Sequence, residues 1–165
     1  MSKPKVYFIK TVSPENIVKA YDALKKELPG KVCVKVHSGE EGNQNFLGPD
    51  YFKPMIERVK GTPCEANAAY KGARHTNELH KKLLEKHGWT AFNFDLLDEE
   101  GDLELEIPNG TKIKKNFVGT HMTRYESMLV LSHFKGKIIY LFFNRTSNGR
   151  IRRSHETIIH WMWIN

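Results

Sequence analysis

Apolar positions along the chain alternate between strand-like runs and helical spacing. Residues 5–9, Lys-Val-Tyr-Phe-Ile, form a β-rich run that predicts a first strand. Ser13, followed by Pro14 and Glu15, has the form of a helix N-cap. Ile17, Val18, Tyr21, Leu24 and Leu28 then recur at helical spacing until Pro29-Gly30. A second strand is predicted over residues 32–36. A second helix follows over residues 49–60, with Phe52, Met55, Ile56 and Val59 on one face and Gly61 at its end. Residues 63–66 read as a short strand, and residues 76–87 as a helix with Leu79, Leu83 and His87 on one side. Alternation of Phe92, Phe94 and Leu96 predicts a strand over residues 89–97. Leu103 to Ile107, the Asn109-Gly110 turn and the returning Lys112 to Lys114 make a hairpin. Residues 118–127 have no clean period, a short helix being the nearest reading, and residues 128–131 return to strand. This order predicts an α/β fold: a mostly parallel sheet flanked by helices, with a small β-hairpin insertion.

Two of the strand ends open into polar loops of similar make. One carries Lys35, His37, Ser38, Gly39, Glu40, Glu41, Gly42 and Asn43; the other carries Ser132, His133, Phe134, Lys135 and Gly136. Open α/β sheets bind ligands beyond the carboxyl ends of their strands, which makes these two ends the candidate site. His37 and His133 suit metal ligation or acid–base work, or else orient a loop through hydrogen bonds. Lys35 and Lys135 suit an anionic ligand, or are ion-paired, with Glu40 or Glu41 as partners for Lys35. Gly39 and Gly42 either permit close backbone approach or supply turns. A third polar loop, residues 67–75, holds Tyr70, Lys71, Gly72 and Arg74; Arg74 fits bidentate anion binding and a surface ion pair equally. His75, His80 and His87 read as structural. No nucleophile stands out, since Ser132 lacks an elbow sequence and Cys33 lies mid-strand.

Composition narrows the classes. The 165 residues fit one domain, and two cysteines are too few for a zinc or iron–sulfur ligand set. Cys33 and Cys64 are therefore expected as reduced packing residues, and with neither a secretory signal nor an apolar span the expected location is cytoplasmic, off the membrane. The net charge of +7 invites a nucleic-acid reading, but the last 29 residues carry +4 of it. The alternative function is thus a basic module touching nucleic acid through Arg150-Ile151-Arg152-Arg153; nucleic acid is otherwise not the expected partner.

The run from Lys35 through Glu40 with Asn43, then Asn67, Tyr70, Gly72, Arg74, His80 and Gly88, and finally Ser132 through Gly136, resembles the domain-of-unknown-function 362 family over residues 3–136. Members of that family are often associated with iron–sulfur or ferredoxin proteins. The resemblance implies a ligand- or cofactor-binding domain serving redox metabolism. It implies a site of His37, Glu40, His133 and Lys135, with Lys35 and Arg74 as anion holders and Gly39, Asn43, Tyr70, Ser132 and Gly136 beside them. The implied partner is a small anionic ligand or a redox protein. Any 4Fe-4S cluster belongs to longer relatives, because its cysteine ligands are not in this chain.

The likeness stops at Gly136. Family members continue with a glycine-rich segment, whereas here residues 137–165 are apolar and then Arg-rich. Codons available to Thr146 through Trp161, read one nucleotide later, permit that glycine-rich continuation in order. The nine residues from Lys137 to Arg145 are consistent with a very short AT-rich intron. Residues 1–136 are therefore expected to be the N-terminal part of the domain, and residues 137–165 an aberrant tail made of unspliced intron and shifted frame.

Overall fold

A computed structural model describes residues 6–133 and 157–162, with residues 132–133 and 157–162 described through their backbone alone. Three helices, α1 (Pro14–Asp22), α2 (Pro49–Val59) and α3 (Asn77–Lys86), alternate with strands β1 (Val32–Lys35), β2 (Thr62–Glu65) and β3 (Asp95–Leu96). A hairpin of β4 (Asp102–Glu106) and β5 (Lys115–Gly119) leads through a 3-10 turn, Thr120–Arg124, to β6 (Ser127–His133). The main sheet has the order β3-β2-β1-β6-β7, where β7 is Thr157–Met162, and every pairing in it is parallel. The α/β expectation holds, antiparallel insertion included.

The helix starts follow the sequence signals. The Ser13 side chain accepts from the Asn16 amide at 3.2 Å and Pro14 occupies the first turn. Lys60 takes the left-handed conformation that closes α2 before Gly61. Period two in β1 sends Val32, Val34 and Val36 to the helical face. There Ile17, Tyr21, Phe52, Met55, Ile56, Leu84, Trp89, Leu96, Leu129 and Leu131 complete one core. Cys33, Cys64, Leu97 and Tyr125 form a smaller cluster, with Met122 and Met128 packed against it.

Several expectations are corrected. Residues 6–9 form no strand, and Val6 and Phe8 are 89% and 74% exposed. α1 ends at Asp22, with Lys25 at positive φ, yet Leu24 and Leu28 still reach the core from irregular backbone. The strand expected over residues 89–97 survives only as Asp95–Leu96. Gly88 turns the chain, Trp89 is buried, and Phe92 and Phe94 pack on its indole instead of alternating across a sheet. The return strand of the hairpin is Lys115–Gly119 rather than residues 112–114.

Cys33 and Cys64 are not free thiols; they form a disulfide. Lys35 stands opposite Cys64 in the register, so Cys33 lies diagonally across two adjacent strands at a Cα separation of 6.3 Å, within bridging range. The cysteine argument for a reducing compartment therefore lapses. Among the described residues no helix is long and apolar enough to cross a membrane.

Candidate functional site

The loop after β1 crosses the carboxyl end of the sheet and is organised by a residue from the next strand. Val36 donates its amide to the Cys64 carbonyl at 3.1 Å, which brings His37 and Ser38 beside Glu65 at the end of β2. Glu65 is 3% exposed. Its carboxylate accepts from the Ser38 amide and from Arg74 Nη1, both at 2.9 Å, and stands 3.1 Å from His37 Nδ1. His80 Nε2 lies 3.5 Å and Lys35 Nζ 3.6 Å away. Burial opposes ionisation of this carboxyl. The Lys35 charge and hydrogen bonds from His37 and His80 outweigh it and hold the group well below the usual carboxylate range.

Arg74, 6% exposed, joins Glu65 to Glu40, with Nη2 ion-paired to Glu40 Oε1 and 3.0 Å from the Tyr70 hydroxyl. Tyr70 in turn donates to Glu40 Oε1 at 2.5 Å. Burial raises the Glu40 pKa less than the hydrogen bonds of Arg74 and Tyr70 lower it, so this carboxyl also stays ionised below its ordinary range. Lys35 Nζ donates to the Val36 carbonyl at 2.6 Å. Both cations that the sequence offers as anion holders are thus engaged with groups of the chain itself.

Ser38 is pinned from every side. Its carbonyl accepts from His87 Nδ1 at 2.8 Å and from the Trp89 indole at 3.3 Å. Its hydroxyl lies 3.2 Å from His80 Nε2, whose ring is fixed at the other end by Asn67 Oδ1, 3.1 Å from Nδ1. Gly39 follows at φ +99°, and a Cβ there would stand 2.7 Å from the Phe46 ring and 2.9 Å from His87 Nδ1. Only glycine fits both the backbone and the gap under the stacked Phe46–His87 pair. His80 and His87 are structural, as their spacing indicates.

The strand order reverses between β1 and β6. The chain moves from β1 outward to β3 on one side and returns to place β6 on the other, which opens a crevice at the carboxyl ends. A small hollow lies there, lined by His37, Asn43, Asn45, Phe46, Leu47, Phe52 and Leu131. Asn43 Oδ1 accepts from the Asn45 amide at 2.9 Å, closing the turn that shapes its rim. Lys35 pairs with Val130, so Ser132 and His133 continue β6 along the flank of the His37 loop. Lys135, Gly136 and the Arg-rich segment from Arg150 lie outside the described residues. Among the described residues no three of His, Cys, Asp or Glu are grouped to hold a metal ion.

The structure therefore links Lys35, His37, Glu40, Tyr70 and Arg74 in one network, with Gly39 and Asn43 in the same loop, but the network centres on a residue that sequence reasoning passed over. Glu65 was available as a signal: a carboxylate inside the apolar run Pro63-Cys64-Glu65-Ala66 is a charge that has to find buried partners. Asn45, Phe46 and Leu47 were also missed, being ordinary loop residues until the fold turns them toward the hollow.

Residues 32–142 match the family model described as Domain of unknown function (DUF362). No curated protein and no solved structure matches the chain. The match takes in β1 through β6, the Glu65 cluster and the hollow, and spans well over half of the sequence. The chain belongs to the DUF362 family.

Proposed function

We propose that this domain binds a small polar ligand in the crevice between the ends of β1 and β6, with His37 as its contact or proton-exchanging group. One observation carries the reading. His37 lines the hollow while its Nδ1 faces the buried Glu65 carboxylate, 3.1 Å away. A carboxylate behind an imidazole accepts its N–H and fixes the ring's orientation, which leaves the other nitrogen, here Nε2, to a ligand. Asn43 and Asn45 add carboxamide groups to the same lining. Lys35 and Arg74 serve as framework, because Glu65 and Glu40 already engage them. An anionic ligand would draw its counter-charge from Lys135, two residues beyond His133 in the chain.

A place in redox metabolism is proposed on the sequence resemblance alone, the matched family model being one of unknown function. The cysteines present do not fit a cluster, since they are bonded to each other; electrons would come from a separate redox partner. That residues 137–165 are an unspliced intron followed by a shifted frame is likewise proposed, on the codon reading of Thr146 to Trp161; the family match itself runs six residues into that segment, to residue 142.

The test is a titration of isotope-labelled protein with inorganic phosphate and, separately, acetate, followed by amide shifts. Saturable shifts confined to His37, Asn43 to Leu47 and Leu131, and absent in His37→Ala, support the site. Shifts that are unsaturable, or unchanged in His37→Ala, refute it.

A further inference from the structure

We infer that the outer edge of β6 is a seat for the N-terminal segment, residues 6–9, and that this segment and β7 compete for it. The argument rests on handedness. β1 leads through α2 to β2, and β2 through α3 to β3; both steps cross the sheet in one direction, with Phe52, Met55, Ile56 and Leu84 of the two helices in a single core. The return from β3 to β6 runs the opposite way and passes the other face, where Met122 and Tyr125 pack against Cys33 and Cys64. A reversed direction on a reversed face keeps the same hand, the right hand that such crossovers take in about 98% of cases.

α1 contributes Ile17 and Tyr21 to the core shared with α2 and with Leu129 and Leu131 of β6. A parallel strand entering α1 from the N-terminal side must lie on the β6 side of β1 to keep that hand. β6 already fills the adjacent slot, so the place left is its outer edge. Residues 6–9, Val-Tyr-Phe-Ile, have strand composition. Residues 10–13 join them to α1, an ordinary length for a strand-to-helix loop. In the structure this segment is irregular, with Val6 and Phe8 exposed, while the edge is paired from Met128 to His133 with Thr157 to Met162. An apolar, β-forming segment left in water is a strand without its neighbour. Because β6 carries Ser132 and His133 to the proposed crevice, the strand that flanks it decides what supports that wall.

Hydrogen exchange of the full chain, read by mass spectrometry, tests the competition. Successive amides of a strand point to opposite sides, so one of Ile159→Pro and His160→Pro, made separately, removes a bond between β7 and β6. In that variant residues 6–9 are expected to exchange at least tenfold more slowly than in the unmodified chain, with β6 still protected. Free-chain exchange of residues 6–9 in all three proteins overturns the inference. Phe8→Pro supplies the reciprocal measurement at a position where no fold is disturbed. Removing the N-terminal contender should slow exchange across residues 157–162, and an unchanged rate there counts against the proposal.

Discussion

Replacing Glu65 by Gln separates its charge from its shape. The carboxylate is 3% exposed and meets the Ser38 amide, Arg74, His37, His80 and Lys35. The amide keeps one acceptor but turns two N–H donors toward a shell that consists mainly of donors. Removing one partner of a buried ion pair costs about 3–5 kcal/mol. Arg74 retains Glu40, so the loss should fall near the lower bound, about 3 kcal/mol. The pH dependence has a definite sign. The folded pKa of Glu65 lies well below the ordinary glutamate value, so its contribution is fully present above that value and is lost as pH falls through the folded pKa. Guanidinium unfolding followed by far-ultraviolet circular dichroism, at neutral pH and at steps below 4.5, reads both effects. The gap between the wild type and Glu65→Gln should be widest at neutral pH and narrow as the medium is acidified. Equal stabilities at neutral pH, or a gap that does not close in acid, would refute the assignment of Glu65 as the charged hub.

Three further outcomes are expected. Cys33 and Cys64 close a loop with a sequence separation of 31, for which the chain-entropy relation gives roughly 3–4 kcal/mol. The Cys33→Ala/Cys64→Ala protein should therefore unfold at lower denaturant than the oxidised chain, and the unfolded, unreduced chain should show no titratable thiol. Gly39→Ala combines positive φ with a collision against Phe46 and His87; it should displace the His37 loop and abolish any phosphate or acetate response while α2 and β6 keep their exchange protection. Sequencing of transcripts across codon 136 should find messages lacking the segment that encodes residues 137–145, and a population that uniformly retains it in frame through Asn165 sinks the intron reading.

Local periodicity exposed the three helices and the central strands because burial and period agree there: Val32, Val34 and Val36 alternate, and Phe52, Met55 and Ile56 repeat along α2. It misled where aromatic residues pack on one another rather than across a sheet, as Phe92 and Phe94 do on Trp89. The Cys33–Cys64 bridge was invisible for a different reason, since it depends on a strand register that brings two distant positions within 6.3 Å. The site divides along the same line. His37, Gly39 and Glu40 announce themselves because polar groups and glycine interrupt an apolar strand. Their organiser gives a fainter sign, a carboxylate in an apolar run, because Glu65 becomes the hub only when β2 pairs with β1 and aligns two strand ends. A loop can be read for the groups it offers, but the charge those groups carry is decided by what the adjacent strand places beneath them. Lys35 and Arg74 illustrate the point: from sequence each suits an anion or an ion pair equally, and in the fold each is already answered by Glu65. Under the proposed function, the groups that the described residues offer a ligand are therefore the remaining nitrogen of His37 and the carboxamides beside it, a narrower set than the residues alone would allow.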